Sequence, residues 1–382
     1  MECVAKKLLT VDAKDSSVQE IVSMGKVAIQ EKYSGQNAVT ADNIITGTLG
    51  SNFNNGTILG KNGQEAMKFY QLDDGGLTVR DVTINAVNGN SSNGETTVVQ
   101  ISDPHFNYAN EQDIAEGNPS TLSTWNNRDL NKLWNGALNK SIYNFANSME
   151  YASAYADKTI ITGDVIDYIS YGNIELMKRY INTPYSDAFV LFGNHDPIRV
   201  MGLPNDVPDV TKLATRYNML QEHWNNNIYY ASEVINDEVM VLQLDNSQEY
   251  FWASQISPLT ADLQKAREES LTVLLFMHVP LTTGNENDTS IEPLINMDCG
   301  EQNFYSNKWL VGPADGGDTK TIYNLITSYG DVVKGIFAGH MHSDYYTEVL
   351  AKDAAENDTY IPQYVLTGNF YGKGHVLKIT VK

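Results

Sequence analysis

The sequence predicts an α/β fold with a smaller β-rich region at its amino-terminal end, and two observations carry that prediction. From Thr97 onward, short apolar runs of strand length alternate with longer stretches whose apolar residues recur at helical spacing. That alternation describes sheets covered by helices on their outer faces. Five of the runs also stop at a polar segment: VVQIS before Asp103-Pro104-His105, TIIT before Gly163-Asp164, AFVLF before Gly193-Asn194-His195-Asp196, VLLFM before His278, and GIFA before Gly339-His340-Met341-His342. In an open α/β sheet the loops beyond the strands' carboxyl ends form one rim. The five segments therefore predict a single polar site.

Taken in order, residues 1–93 read as a β-rich extension with a short helix. Val18, Ile21, Val22, Ala28 and Ile29 give the helical spacing over 18–33, although Gly25 interrupts it. Asn55-Gly56, Asn62-Gly63 and Asp74-Gly75-Gly76 then mark hairpin turns between short runs such as GTILG and GLTVRDVTINAV. The Asn-, Gly- and Ser-rich segment 85–97 reads as the linker to a second domain, 94–382. In that domain a helical stripe runs from Arg128 to Tyr155 through Leu130, Leu133, Leu138, Ile142, Phe145 and Met149. Further strands are expected at VMVLQL, QYVLT and HVLKITV, and further helices over 174–180, 211–224, 258–269 and 319–329, the last closed by Gly330. The closer spacing of the later strands suits a second, partly antiparallel sheet.

Bulk properties narrow the function classes. A formal charge of -21 and a pI near 4.6 argue against general affinity for nucleic acid or an anionic membrane, which attract cationic surfaces. No apolar run approaches the roughly 18 residues of a membrane helix, and the first residues lack a signal-peptide core. Membrane insertion is therefore not expected, and the compartment is left open. With only Cys3 and Cys299 there is no disulfide framework and no cysteine-based zinc pattern, although a single bridge between them is compatible with the sequence.

Asp103, His105, Asp164, Asn194, His278, His340 and His342 are oxygen and imidazole donors, a mixture suited to Zn, Fe or Mn. Seven donors exceed what one catalytic ion takes and suit two ions sharing a carboxylate. Such a pair points to phosphoester hydrolysis. Five of the seven histidines fall inside the strand-end segments, while His223 and His375 lie outside them and are expected to be structural. Asp245 and Asn246 end the VMVLQL strand at the same rim, where they fit either a place in the site or a hydrogen-bonded turn. Arg199 fits a phosphate contact or an exposed position, and Tyr108 and Trp125 lie in a long loop, 107–127, that is expected to wall the site.

The ordered series D-x-H, G-D-x-x-D, G-N-H-D, a lone H and G-H-x-H, running from Asp103 to His342, resembles the calcineurin-like metallophosphoesterase superfamily. The resemblance implies a four-layer αββα sandwich. It implies that Asp103, His105 and His342 hold one metal ion, that Asn194, His278 and His340 hold the other, and that Asp164 bridges them. His195 would face the phosphoryl group, stabilising charge or protonating the leaving oxygen, with Asp196 orienting its ring. Asp167 would organise the loop behind Asp164. A metal-bridging hydroxide would attack phosphorus in line, with Mn, Fe or Zn as candidate ions.

Two departures narrow the branch. Tyr168 follows Asp167 where protein Ser/Thr phosphatases of the superfamily have Arg, and Asp167 stands where purple acid phosphatases have a Tyr ligand. The expectation is a phosphodiesterase or phosphomonoesterase acting on a small or exposed phosphoester. The segment from Val39 to Phe53, VTADNIITGTLGSNF, resembles short repeats of phage tail proteins and fits equally an ordinary β-rich extension. It motivates an alternative in which the chain is a virion or cell-surface attachment protein whose metal fold binds or trims a surface phosphopolymer.

Overall fold

In the computed structural model, the described residues are 77–89, 94–108, 110–116, 140–181, 188–197, 212–284, 310–370 and 372–382, with the backbone of three short strands between 53 and 71. Strands β1 (Phe53–Asn54), β2 (Thr57–Leu59), β3 (Glu65–Gln71) and β4 (Leu77–Ile84) lead into β5 (Thr96–Ile101). Helices α1 (Glu111–Glu116) and α2 (Lys140–Tyr155) precede β6 (Lys158–Thr162), α3 (Tyr171–Tyr180), β7 (Ala188–Leu191) and α4 (Leu213–Gln221). The second half comprises β8 (Tyr230–Ile235), β9 (Val239–Leu244), α5 (Ile256–Glu269), β10 (Thr272–Phe276), α6 (Gly317–Thr327), β11 (Val333–Ala338), β12 (Tyr345–Lys352), β13 (Asp358–Val365) and β14 (Gly374–Val381).

These elements form two sheets, ordered β1-β2-β3-β4-β14-β5-β6-β7 and β12-β13-β11-β10-β9-β8. In the first, β5, β6 and β7 run parallel, and β14 lies between β5, its antiparallel neighbour, and β4, its parallel one. In the second, β9, β10, β11 and β13 run parallel, with β8 and β12 added antiparallel at the edges. Apart from β13, the parallel strands are buried on both faces, which is why they carry consecutive apolar residues rather than an alternating pattern. In β6, Ile160 faces the other sheet while Ile161 packs against the helices; in β10, Leu274 and Phe276 take the first role and Val273 and Leu275 the second.

Three apolar clusters follow. Val98, Ile160, Leu191 and Ile379 meet Val241, Leu274, Phe276, Phe337 and Tyr364 between the sheets. Phe145, Met177, Tyr217 and Leu220 from α2, α3 and α4 cover the outer face of the first sheet, and Leu259, Leu263, Ile322 and Ile326 from α5 and α6 cover that of the second. The layers are helix, sheet, sheet, helix, as the motif series implies. The helix and the repeat-like segment expected before Phe53, the first half of the 128–155 stripe, Trp125 and Arg199 lie outside the described residues.

Two details differ from expectation. Helix α6 ends at Ser328 in a right-handed conformation, and Gly330 lies beyond it, its N–H donating to the Lys352 carbonyl at 2.9 Å. A β-carbon on Gly330 would press on Thr359 and Ala351, so close approach and not capping explains the glycine. Strands β8 and β12 are additions to the expected set; both are sheet edges. Among the described residues no helix is long and apolar enough to cross a membrane.

Candidate active site

The carboxyl ends of β5, β6 and β7 from one sheet and of β10 and β11 from the other deliver the five polar segments to one place. At the ends of β5, β6 and β11 the chain turns in a conformation that most residues avoid. Asp103, His105, Asp164, His340 and His342 have φ of 50°, 48°, 48°, 68° and 50°, five of the ten non-glycine residues with positive φ among those described. Asp and His tolerate this region better than most, but each such residue costs about 1 kcal/mol or more. Residues so clustered point to a site that holds them.

Backbone bonds lock the turns to one another. Asp103 N donates to the Gly163 carbonyl at 3.0 Å and His105 N to the Asp164 carbonyl at 2.8 Å. His195 N donates to Asp164 Oδ1 at 2.7 Å, and His340 N reaches both carboxylate oxygens of Asp103, at 3.2 and 3.1 Å. Gly193 and Gly339 permit the approach: a β-carbon on the first would collide with Asp164, and on the second with Ser102 and the Asp103 carboxylate.

The side chains then gather in two groups that share one member. The ligand atoms of Asp103, His105, Asp164 and His342 lie within 4.8 Å of one another, as do those of Asp164, His278 and His340. His342 Nε2 is 3.3 Å from Asp103 Oδ1 and 3.0 Å from His105 Nε2. Asn194 Oδ1 joins the second group, 3.2 Å from His278 Nε2 and 3.1 Å from His340 Nδ1. The two oxygens of Asp164 divide between them, Oδ2 at 3.5 Å from His105 Nε2 and Oδ1 at 3.6 Å from His278 Nε2.

Outer hydrogen bonds determine which nitrogen of His278 and of His105 faces inward. The Thr162 carbonyl, 2.8 Å from His278 Nδ1, can only accept, so Nδ1 carries the proton and Nε2 presents its lone pair. The Asp167 carboxylate, 2.9 Å from His105 Nδ1, does the same for His105. Electrostatics agree. Burial lowers the pKa of His105 against the pull of Asp167, and burial joined by the charge of His278 holds His340 well below the usual range. Burial pushes Asp103 up, but the hydrogen bond from His342 and the nearby imidazoles outweigh it and hold the carboxyl well below its ordinary value. Asp164 is likewise lowered by His278, His195 and His105 against its burial. Imidazoles and carboxylates converge in a largely buried cluster, and buried carboxylate charge is kept out of water only when paired or when it coordinates metal. The donor set therefore fits two transition-metal ions.

His195 sits at the mouth with its side chain 20% exposed, and here one expectation is corrected. Asp196 does not orient its ring: Asp196 Oδ1 accepts from Ile166 N at 2.9 Å and Oδ2 from Gly193 N at 2.7 Å. Burial and the nearby Asp164 charge push the Asp196 carboxyl well up, against those two bonds. The group facing His195 Nδ1 is Asp167, with Oδ1 at 3.0 Å. Consecutive residues in a turn diverge, so proximity in sequence misleads at this point. Asp245 and Asn246 form a buried turn: Asp245 accepts from Trp252 Nε1 at 2.8 Å, and Asn246 Oδ1 accepts from His278 N at 3.1 Å and Val279 N at 2.9 Å. Asn246 thus anchors the loop that carries His278, a role signalled only by its place at a strand end.

A family model described as calcineurin-like phosphoesterase matches residues 96–344. Among solved structures, the chain is similar to a dimetal phosphatase from Danio rerio, at 12% identity and a TM-score of 0.39, over 72% of this chain and 88% of that one. It is similar also to a purple acid phosphatase from yellow lupin (Lupinus luteus) seeds, at 12% identity and a TM-score of 0.39, over 78% of this chain and 48% of that one. The chain has no match among curated proteins. Because the family match spans well over half of the chain and encloses all five strand-end segments, the chain belongs to the calcineurin-like phosphoesterase family and is a metal-dependent phosphohydrolase.

Proposed function

We propose that the chain is a binuclear phosphoester hydrolase acting on a small or exposed phosphodiester or phosphomonoester. Asp103, His105 and His342 would hold one ion, Asn194, His278 and His340 the other, and Asp164 both. The observation that carries this reading is the membership of Asp164 in both donor groups, one oxygen toward each. When bound, two such ions supply Lewis acidity, activating water and neutralising charge on the phosphoryl oxygens.

The chain's own groups supply the rest. With Nδ1 beside Asp167, the His195 ring would meet the departing oxygen of the ester through Nε2. Asp167 stabilises the imidazolium form and keeps the ring in one orientation, as a carboxylate partner does for a general acid. Partial exposure of His195, Asn194 and His342 suits contact with a substrate arriving from solvent, while Asp103, His105, Asp164, His278 and His340 are buried.

The test is a substrate panel. Bis-p-nitrophenyl phosphate and p-nitrophenyl phosphate are offered to chelator-treated protein after addition of Mn, Zn, Fe or Ni. Metal-dependent turnover of at least one ester, abolished by Asp164→Ala, is the expected result. Absence of metal-dependent turnover across the panel, or unchanged turnover in Asp164→Ala, would overturn the reading.

A further inference from the structure

We propose that Arg80, on β4 and upstream of the family-matched span, is a positioning residue for His342 that acts through Asp344 and Thr367. The inference rests on the reading of His342 as a metal-holding residue. Arg80 Nη2 pairs with Asp344 Oδ2, and Arg80 Nη1 lies 3.0 Å from His375 Nδ1 on β14. The Arg80 and Asp344 side chains are only 4% and 3% exposed. A buried ion pair is costly to desolvate and adds little stability over a well-packed apolar pair, so geometry is the better reason for one here.

The geometry leads to the first donor group. Asp344 Oδ1 accepts from Thr367 N at 3.1 Å, and Thr367 Oγ1 donates to the His342 carbonyl at 2.8 Å. His342 has a left-handed backbone, so its carbonyl has no place in a sheet ladder. The Thr367 hydroxyl fixes the peptide plane beyond His342, and with it the direction in which the imidazole leaves the chain.

The same loop contributes a second contact of independent kind. The Phe370 ring stands edge-on to His342, at 4.8 Å and 81°, and to His105, at 4.9 Å and 88°. Its N–H donates to the Asp103 carbonyl at 3.3 Å. Arg80, Thr367, Phe370 and His375 all fall outside 96–344, yet all bear on the group formed by Asp103, His105 and His342. The second group is held from elsewhere, His278 by the Thr162 carbonyl and Asn246. Disturbing the relay should therefore weaken one ion and spare the other.

That selectivity is the test, because general loosening of the fold would not produce it. The full chain is stripped with chelator and titrated with Mn2+, counting ions and affinities by calorimetry and by Mn2+ electron paramagnetic resonance. Thr367→Val and Arg80→Met are expected to bind one ion with unchanged affinity and the other about 10–100-fold more weakly, the range found for outer-shell partners. Thr367→Ser, which keeps the hydroxyl, should restore both. If Arg80→Met does not fold, the Thr367→Val and Thr367→Ser pair decides. His342→Ala serves as the reference and should lose one ion. Two ions bound at wild-type affinity by Thr367→Val, while His342→Ala loses one, overturns the relay and leaves the site reading intact. Equal weakening of both ions in Thr367→Val also overturns it. Two wild-type ions in His342→Ala overturn the site reading, and the relay falls with it.

Discussion

A single carboxylate oxygen joins the two kinds of work in this site. Asp167 Oδ1 lies 2.9 Å from His105 Nδ1 and 3.0 Å from His195 Nδ1, so one group orients both a proposed metal-holding ring and the ring proposed to face the substrate. Asp167→Ala should lower metal affinity by about 10–100-fold and turnover at saturating metal by a further factor of roughly 10²–10⁴. His195→Ala should show the turnover defect alone and keep both ions. Asp196→Asn belongs to another class: one of the two N–H groups its oxygens accept would face an amide N–H, costing about 1–3 kcal/mol of stability. Turnover per folded molecule should survive. Metal content, kcat at saturating Mn2+ and the denaturation midpoint, measured on all three variants, separate these outcomes. Loss of metal in His195→Ala equal to that in Asn194→Ala would show the division of labour to be wrong.

At the scale of elements, the site depends on how closely the end of β11 meets the end of β5. Gly339 has no room for a β-carbon beside Ser102 and the Asp103 carboxylate. Gly339→Ala should push Asp103 away from His340 N and His342 Nε2, costing about 1–3 kcal/mol of stability by overpacking and weakening metal binding. Wild-type metal affinity in that variant would sink the argument. The strands that set this geometry were legible because burial on both faces leaves an apolar run in each, short in β5 and β6 and longer in β9, β10 and β11. The edge strands β8 and β12 were not. In β8 the burial alternates irregularly, and β12 carries Glu348 and Lys352 while pairing with β13 alone. The donors were legible because His, Asp and Asn recur at strand ends in a fixed order. The partner of His195 was not, since Asp196 is its neighbour in the chain and Asp167 its neighbour only in the fold. Arg80 was no more legible, because a period-2 strand pattern says nothing of a buried ion pair 264 residues away in sequence.

At the scale of the whole molecule, the donor groups straddle two sheets that meet elsewhere through an apolar layer and a few polar contacts, among them Arg80 with Asp344 and Gln100 with the Ala338 carbonyl. Asp103, His105, Asp164 and Asn194 come from the β5-β6-β7 side, and His278, His340 and His342 from the β10-β11 side. An ion in either group would tie the sheets together at the rim, opposing the repulsion of ionised carboxylates and the strain of five left-handed residues. Ions that bind only the folded chain stabilise it by mass action, about 2.7 kcal/mol for each at a hundred times its Kd. For a chain of this length that corresponds to roughly 3–5 °C in Tm per ion. Chelator treatment should therefore lower Tm by several degrees at least, and adding back metal should restore it in proportion to the logarithm of its free concentration. Asp164→Ala should blunt the response to both ions, because its two oxygens face both groups, whereas His342→Ala should blunt it for one. A Tm indifferent to chelator in the wild-type chain would show that the sheets hold the rim without metal, and that the left-handed turns are stabilised by their backbone bonds alone.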